Sequence, residues 1–207
     1  MWYFSGNIVE LFLFSMLPQF ETYLQFIRAI SPLSPESIDA IVPYLSLKTF
    51  ARKDYVVRQG NISNEMHFII SGCVREYFED ANANEISTWF GFENSIAVST
   101  YSFFSQKPSL TNIQALEDTE TIVLKHEDLQ QLFDRFHDIE RQGRLLVEQY
   151  MVQIEEIKII LQTLTAKQRY DYLLQHKPEF IKRIPLKYLA SFLGIKLETL
   201  SRVRGQK

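Results

Sequence analysis

The sequence predicts an α+β protein: N-terminal helices, an antiparallel β jelly roll, a long helix and a C-terminal helix-turn-helix. Three observations predict this class. Short hydrophobic runs separated by turn residues fill residues 46–125, as in all-β rolls. One unbroken helical pattern covers residues 138–164. Two short helical patterns meet at Gly194, as in a helix-turn-helix. The 207 residues can hold one medium domain and one small domain.

Charge is distributed unevenly along the chain, although the net charge is only −3. Residues 161–207 contain ten basic and three acidic residues, whereas residues 1–160 contain twelve and twenty-two. A basic end on an acidic body predicts that the end alone meets a polyanion. The single cysteine, Cys73, excludes an internal disulfide and a cysteine-built metal or iron–sulfur site, and we expect a cytoplasmic protein without a metal.

Residues 1–30 are predicted to form an apolar helical extension. The segment 8–17 resembles a signal peptide or a membrane span, but Glu10 interrupts it and no basic residue precedes it. Pro18 closes it well short of the ~20 residues that a spanning helix needs. We therefore expect it to pack on the body or on a second subunit. Translation could start at Met1 or at Met16.

Two helices are expected before the strands. Residues 20–30 form an amphipathic pattern that residues 31–35 end. Ser34 is the predicted N-cap of a helix over residues 35–45, with Pro35 at its first position.

Seven or eight short strands are expected between residues 46 and 125. The runs with strand character are residues 47–50, 55–60, 66–72, 73–78, 85–90, 112–116 and 120–125. A short helix at 128–136 follows them, and the long helix then extends over residues 138–164.

Apolar residues of the long helix recur in steps of three and four, which is the spacing of a coiled-coil seam. The seam residues are Val147, Tyr150, Ile154, Ile157, Leu161 and Leu164. We expect pairing between two subunits; the alternative is a helix packed on its own roll. Thr165 and Gln168 then form a capping box, which predicts a change of chain direction and a hinge.

The C-terminal stretch has the spacing of a helix-turn-helix. Ala190 allows close approach of two helices, Gly194 allows the turn, and Leu200 faces inward. The outward positions are rich in groups that bond phosphates and base edges. An ordinary helical hairpin has the same spacing and remains the alternative.

Five short motifs follow one another along the chain: Arg-Gln-Gly at 58–60, Phe-Ile-Ile-Ser-Gly-Cys-Val at 68–74, Ala-Leu-Glu-Asp-Thr at 115–119, Leu-Gly-Ile at 193–195 and Glu-Thr-Leu-Ser-Arg at 198–202. In this order they resemble the Crp/Fnr family of bacterial transcription regulators. The resemblance covers residues 31–204. It implies a cyclic-nucleotide-binding-like sensor at 31–137, a dimerisation helix at 138–164 and a helix-turn-helix domain at 165–207. The sequence ends at Lys207, which predicts an absent or reduced wing.

The segment 94–112 departs from the family pattern. Members that bind cyclic AMP carry Gly-Glu and, further on, an Arg that neutralises the phosphate; here Gly-Glu is missing and Ser109 replaces the Arg. We therefore expect no cyclic AMP binding. Another small effector remains possible in a pocket formed by Val98, Ser99, Thr100, Ser109, Leu110, Thr111 and Asn112. The alternative is a hollow filled by Tyr101, Phe103 and Phe104. The histidines (His67, His126, His137 and His176) are scattered, which indicates structural or surface roles.

The second helix of the motif resembles the family's recognition helix. The DNA-binding residues that this implies are Lys187, Lys196, Leu197, Glu198, Thr199, Ser201, Arg202 and Arg204. Glu198 can accept from a cytosine amino group, and Arg202 can donate to guanine or phosphate. Leu197 stands where many relatives carry a polar base-reading residue. The expected phosphate contacts are Lys182, Arg183, Lys187, Arg204 and Lys207.

The function predicted from the sequence is that of a homodimeric, DNA-binding transcription regulator and not an enzyme. Its expected partners are an operator in double-stranded DNA, a second copy of itself and RNA polymerase, with no membrane and no certain cofactor. The alternative is a dimeric ligand- or protein-binding sensor that does not bind DNA. The basic tail that carries Glu198 and Arg202 on one helix favours DNA.

Overall fold

The computed structural model describes residues 18–205. The predicted helix at 8–17 and the predicted phosphate contact at Lys207 lie outside the described residues. The strands are β1 Ser46–Phe50, β2 Tyr55–Val57, β3 Glu65–Ser71, β4 Val74–Glu79, β5 Glu85–Gly91, β6 Ile96–Ala97, β7 Asn112–Ala115 and β8 Thr119–Lys125. The helices are α1 Pro18–Ile30, α2 Pro35–Ile41, α3 Thr100–Ser105, α4 His126–Arg135, α5 His137–Thr163, α6 Ala166–His176, α7 Pro178–Arg183, α8 Leu186–Phe192 and α9 Leu197–Gly205.

The strands form two four-stranded antiparallel sheets, which confirms the predicted jelly roll. One sheet has the order β1-β8-β3-β6, and the other has the order β2-β7-β4-β5. The inner faces of the two sheets enclose buried residues such as Val57, Ile69 and Ile113. The sequence did not indicate β6, because a strand of two residues is too short to show a period.

Gly72 makes the tight connection between β3 and β4. Its φ of +102° lies in the left-handed region that favours glycine. A Cβ atom at this position would lie 2.5 Å from the Thr119 hydroxyl oxygen. The glycine of the 68–74 motif is therefore required both by the backbone conformation and by the closeness of β8.

The N-terminal helices pack on the β1-β8-β3-β6 sheet. Phe20 and Ile27 of α1 are buried in one cluster with Phe68 of β3 and Ile122 of β8. The Gln142 side chain of α5 donates to the Ile27 carbonyl at 2.6 Å, so α1, the sheet and α5 form one unit. Helix α2 begins as predicted, since the Ser34 hydroxyl accepts from the Ser37 N–H at 3.1 Å.

The four C-terminal helices, α6 to α9, form the helical tail of the protein (residues 166–205). The tail begins at Thr165, where the sequence predicts a change of chain direction. The Thr165 hydroxyl accepts from the Gln168 N–H, and the Gln168 side chain accepts from the Thr165 N–H at 3.0 Å, which completes the capping box. The sequence reasoning missed α7, a helix of six residues that starts at Pro178. Pro178 stands at the first helical position, where a proline is a helix-start signal.

His67 is a buried polar residue on β3, with 1% of its surface exposed. Its Nδ1 lies 3.2 Å from the Thr121 hydroxyl, and its Nε2 lies 3.5 Å from the Glu65 carboxylate. Burial lowers the pKa of His67 to about 4, while Glu65 opposes the shift and Lys48 adds to it. The imidazole is therefore neutral in the folded protein near neutral pH.

We predict that His67 makes the folded state less stable as the pH falls from about 6.5 to about 4. Over this window the unfolded chain binds a proton at His67 that the folded chain excludes, so acid favours unfolding. Between about pH 7.5 and pH 4.5, the free energy of unfolding of the His67→Gln protein should fall by on the order of 2 kcal/mol less than that of the wild type. Urea denaturation at the two pH values measures this difference, with His137→Gln as the exposed control. The same pH dependence in His67→Gln and wild type would contradict the assignment.

Candidate functional site

The segment 94–112, for which the sequence left open an effector pocket or a hollow filled by aromatic side chains, folds as strand β6, helix α3 and a loop. Helix α3 ends at Gln106, whose φ of +53° is left-handed. The Ser102 hydroxyl accepts from the Ser63 N–H at 2.8 Å and donates to the Lys107 carbonyl at 2.5 Å. This hydroxyl fixes α3 to the loop before β3, so the segment is held from both sides.

The polar side chains of this segment bond to other parts of the protein. The Ser109 hydroxyl donates to the Thr111 carbonyl at 2.7 Å, and it lies 2.8 Å from the Ser99 hydroxyl. The Thr111 hydroxyl donates to Glu76 at 2.7 Å, and the Asn112 side chain accepts from the Gln59 N–H at 3.0 Å. Ser109 therefore fills the place of the expected arginine with a hydroxyl whose hydrogen bonds are internal.

A cavity of about 510 Å³ lies between the roll, α1 and α5. Of the predicted pocket residues, Val98 and Thr100 line it, whereas Ser99, Ser109 and Asn112 are buried and Leu110 is 59% exposed. The three aromatic residues expected to fill the hollow occupy different places. Phe103 and Phe104 both line the cavity, the first buried and the second half exposed, whereas Tyr101 is half exposed outside the lining.

A cyclic phosphate does not fit the charges of this cavity. Among the described residues that line it, Arg144 is the only cation, and its guanidinium bonds to Glu148 at 2.5 Å. The Glu76 carboxylate lies in the lining, and burial raises its pKa, although hydrogen bonds from Thr111 and Thr88 oppose the shift. A buried anion without a cation is costly.

Helix α5 forms one wall of the cavity and also reaches the helical tail. Val147 and Tyr150 line the cavity, and Tyr150 hydrogen-bonds to Thr100. Ile157 packs on the core of the tail. Among the predicted seam residues Ile154 is the most exposed, at 45%, while Leu161 and Leu164 are half-buried.

The exposed apolar surface of α5 involves residues that the seam did not include. Met151, Val152 and Ile159 are 61%, 69% and 56% exposed. Val152 and Ile159 are seven residues apart and so share one helix face. The reasoning from spacing missed this face because it selected the longest regular apolar series, which the protein partly covers with its own chain.

The helix-turn-helix is formed by α8 and α9. Leu189, Ala190 and Leu200 are almost fully buried between the helices. Gly194 has the expected positive φ, +65°, and the Ile195 N–H donates to the Ala190 carbonyl at 3.0 Å, which closes the turn. The predicted spacing of Ala190, Gly194 and Leu200 thus matches the packed motif.

Helix α9 buries Leu200 and Val203 and leaves its polar face exposed. The exposed candidate residues for DNA binding are Lys196, Leu197, Glu198, Ser201, Arg202 and Arg204, and Thr199 is half-buried. Lys187, the remaining candidate residue for DNA binding, does not lie on α9. It is on α8, with its Nζ 3.9 Å from the Glu85 carboxylate of the roll.

The first helix of the motif docks directly on the edge of β5. The Ser191 hydroxyl donates to the Glu85 carbonyl at 2.8 Å and accepts from the Ser87 N–H at 3.0 Å. The fully buried Arg75 guanidinium lies between the rings of Tyr77 and Tyr188, 4.0 Å and 3.7 Å from their centroids. Hydrogen bonds and cation–π contacts therefore fix α8 on the roll.

Arg183, at the end of α7, joins the tail to three loops of the roll. Its guanidinium donates to Glu93 at 2.6 and 3.0 Å, to Glu117 at 2.6 and 3.2 Å, and to the Gly72 carbonyl at 3.0 Å. The hydrogen bond from Arg183 holds the pKa of Glu93 below its usual range. The expectation that Arg183 contacts DNA phosphates is therefore wrong, because its donors are engaged inside the protein.

The described part of the chain has neither a cluster of metal-binding side chains nor a membrane-spanning helix. Residues 18–205 contain no group of three or more His, Cys, Asp or Glu that could hold a metal ion. No helix in this range is long and apolar enough to cross a membrane.

Burial raises the pKa of the Cys73 thiol to about 12, which makes it a poor nucleophile.

The described residues thus form a jelly-roll domain joined by a long helix to a helix-turn-helix. The family model of the cyclic nucleotide-binding domain matches residues 47–136, which are the roll from β1 to the end of α4. No curated protein sequence matches the chain.

Solved structures of bacterial regulators share the fold over most of both chains. FixK2 from Bradyrhizobium japonicum has a TM-score of 0.68 at 16% identity, covering 78% of this chain and 83% of its own. The c-di-GMP-responsive global regulator CLP of Xanthomonas campestris has 0.66 at 17%, covering 84% and 91%. The catabolite activator protein of Thermus thermophilus has 0.55 at 21%, covering 85% and 84%. The resemblance to Crp/Fnr regulators is thus confirmed for the domain and the fold.

We predict that Arg183→Ala loosens the tail from the roll. Two carboxylates would lose their shared cation, and the free energy of unfolding should fall by about 2–3 kcal/mol. Urea denaturation measures the loss, and hydrogen exchange should show less protection in α8. The control is Lys182→Ala, since this neighbour is 66% exposed and pairs with Glu179 of the same helix. Equal stability of the two variants would contradict the role of Arg183.

Proposed function

We propose that the chain is a DNA-binding transcription regulator of the Crp/Fnr type, that it is not an enzyme, and that it acts as a cytoplasmic homodimer. In this proposal residues 31–137 sense a small effector other than cyclic AMP, residues 138–164 pair the subunits, and residues 165–207 bind DNA. An apolar extension at 1–30 precedes them. RNA polymerase is a further proposed partner.

The observation that carries the proposal is the exposed polar face of α9. Its buried side holds the helix on α8, while Glu198, Ser201 and Arg202 face outward and are exposed. These side chains supply an acceptor, a hydroxyl and a bidentate donor, which are the groups that read base edges in the major groove. A helix held rigidly with such a face suits insertion into the groove.

A homodimer is supported by the exposed apolar face of α5. An exposed apolar strip on a long helix is stabilised when a second copy covers it. Two recognition helices related by a two-fold axis would then enter successive major grooves about 34 Å apart. Because α5 also lines the cavity, an effector there can shift the population of dimer geometries that fit DNA.

DNA binding is tested by fluorescence anisotropy with random duplex DNA at low and high salt. We expect binding at low salt that weakens steeply as salt increases, because phosphate contacts release counterions. After an operator has been selected from a random library, Arg202→Ala should lose about 1–3 kcal/mol of discrimination.

The control for this experiment is Lys158→Ala, which removes the same charge from an exposed position on α5. An absence of DNA binding at low salt would favour the sensor module without DNA-binding activity. Equal discrimination by Arg202→Ala and the wild type would remove Arg202 from the reading face.

The dimer is tested by light scattering of charged variants of α5. We expect Val152→Asp with Ile159→Asp to yield folded monomers, because both side chains are exposed in the protomer and would face the partner. The parallel variant Ile154→Asp tests the seam predicted from sequence, and it avoids Ile157, which supports the core of the tail. A dimer that persists with Asp at both 152 and 159 would contradict the proposed face.

A further inference from the structure

The cavity beside α5 has the size and lining of a small-molecule site. Its volume of about 510 Å³ falls within the range of roughly 300–1,000 Å³ that is usual for such pockets. The lining is mostly apolar and includes aromatic side chains from α1, β3, β5 and α3: Phe26, Phe68, Trp89 and Phe104. An occupant would therefore gain most of its binding energy from an apolar body.

Glu76 places a carboxylate in this apolar lining. It lies on the same face of β4 as the core residue Val74. It accepts hydrogen bonds from the hydroxyls of Thr111 at 2.7 Å and Thr88 at 3.3 Å. An ionised carboxylate has about four acceptor positions, so further donors can bind to it.

The charges around the cavity select against anions. The described lining contains the carboxylates of Glu76, Glu140 and Glu148, and Arg144 as its cation. Arg144 is on the exposed side of α5 and pairs with Glu148, so it does not offset Glu76. An anionic ligand next to Glu76 would be repelled in surroundings of low polarity.

The helix that transmits the signal in the proposed function also contacts the ligand space. Val147 and Tyr150 of α5 line the cavity. Tyr150 hydrogen-bonds to Thr100 at the start of α3 and lies close enough to Glu76 for the two groups to interact electrostatically. An occupant bound at Glu76 would therefore touch α5 directly.

We infer that this cavity binds an effector with an apolar, preferably aromatic, body and an uncharged or cationic hydrogen-bond donor that bonds to Glu76. This deepens the proposed sensor function and rests on it. This ligand class lacks the negative charge of a cyclic nucleotide, although the family model of the cyclic nucleotide-binding domain matches residues 47–136.

A matched pair of fluorescent probes tests the inference on the full chain. N-Phenyl-1-naphthylamine is an uncharged aromatic amine, and 1-anilinonaphthalene-8-sulfonate has the same rings with a sulfonate added. We expect saturable binding of the amine, with the sulfonate at least about tenfold weaker because like charges are placed together. Cyclic AMP should not displace the amine. Equal affinities for the two probes, no binding of the amine, or displacement by cyclic AMP would overturn the inference.

Variants locate the probe in the cavity. Val98→Phe should reduce the affinity for the amine by about tenfold, because it places a ring in the lining. Glu76→Gln should bring the affinities of the two probes close together, whereas Glu79→Gln, at the exposed end of the same strand, should leave their ratio unchanged. Lys182→Ala should not affect the amine, since this exposed residue of α7 lies outside the cavity and outside the proposed dimer face. Circular dichroism checks folding, and the wild-type probe pair still decides the question if Val98→Phe unfolds.

The anisotropy assay with duplex DNA, run without probe, separates this inference from the proposed function. Probe preference without DNA binding would remove the regulator proposal and keep the ligand class of the cavity. DNA binding without uptake of the amine would remove the ligand class and keep the regulator proposal.

Discussion

The contact of the Arg183 guanidinium with Glu93, Glu117 and the Gly72 carbonyl is the constraint that joins the C-terminal helices to the roll. One planar cation bonds to three loops of the roll, which a point-like ammonium could not do with the same geometry. The contact places the end of α7 and so determines where α8 meets β5. It also explains two sequence motifs, because Gly72 and Glu117 belong to the stretches at 68–74 and 115–119 that carry the family resemblance.

Ser109 stands where cyclic-AMP-binding members of the Crp/Fnr family carry an arginine, and this difference changes how the 94–112 segment is held. An arginine at this place would need an anion, either from a ligand or from the protein, whereas Ser109 is satisfied by Ser99 and Thr111. The loop can therefore fold tightly without a ligand. The cavity beside it keeps its apolar walls and the Glu76 carboxylate, which together favour a different occupant.

Helix α5 connects the three functional parts of the protein. Its first half lines the cavity through Val147 and Tyr150, its second half supports the tail through Ile157, and its outer face exposes Val152 and Ile159. A small tilt of α5 would therefore change the cavity, the seat of the proposed recognition helix and the proposed dimer face together. Such a shared element is what a two-state switch requires.

The sequence by itself determined the local structure: the roll from alternating runs and turn residues, the helix starts at Ser34 and Thr165, and the turn at Gly194. Each depends on neighbours within a few residues. Only the tertiary structure decided which residues serve each site. It assigned Arg183 to Glu93, 90 residues away, turned the Ser99 and Ser109 hydroxyls toward each other, and covered part of the predicted seam. These outcomes depend on which distant segments meet, since a charge or an apolar face has no partner until the chain has folded.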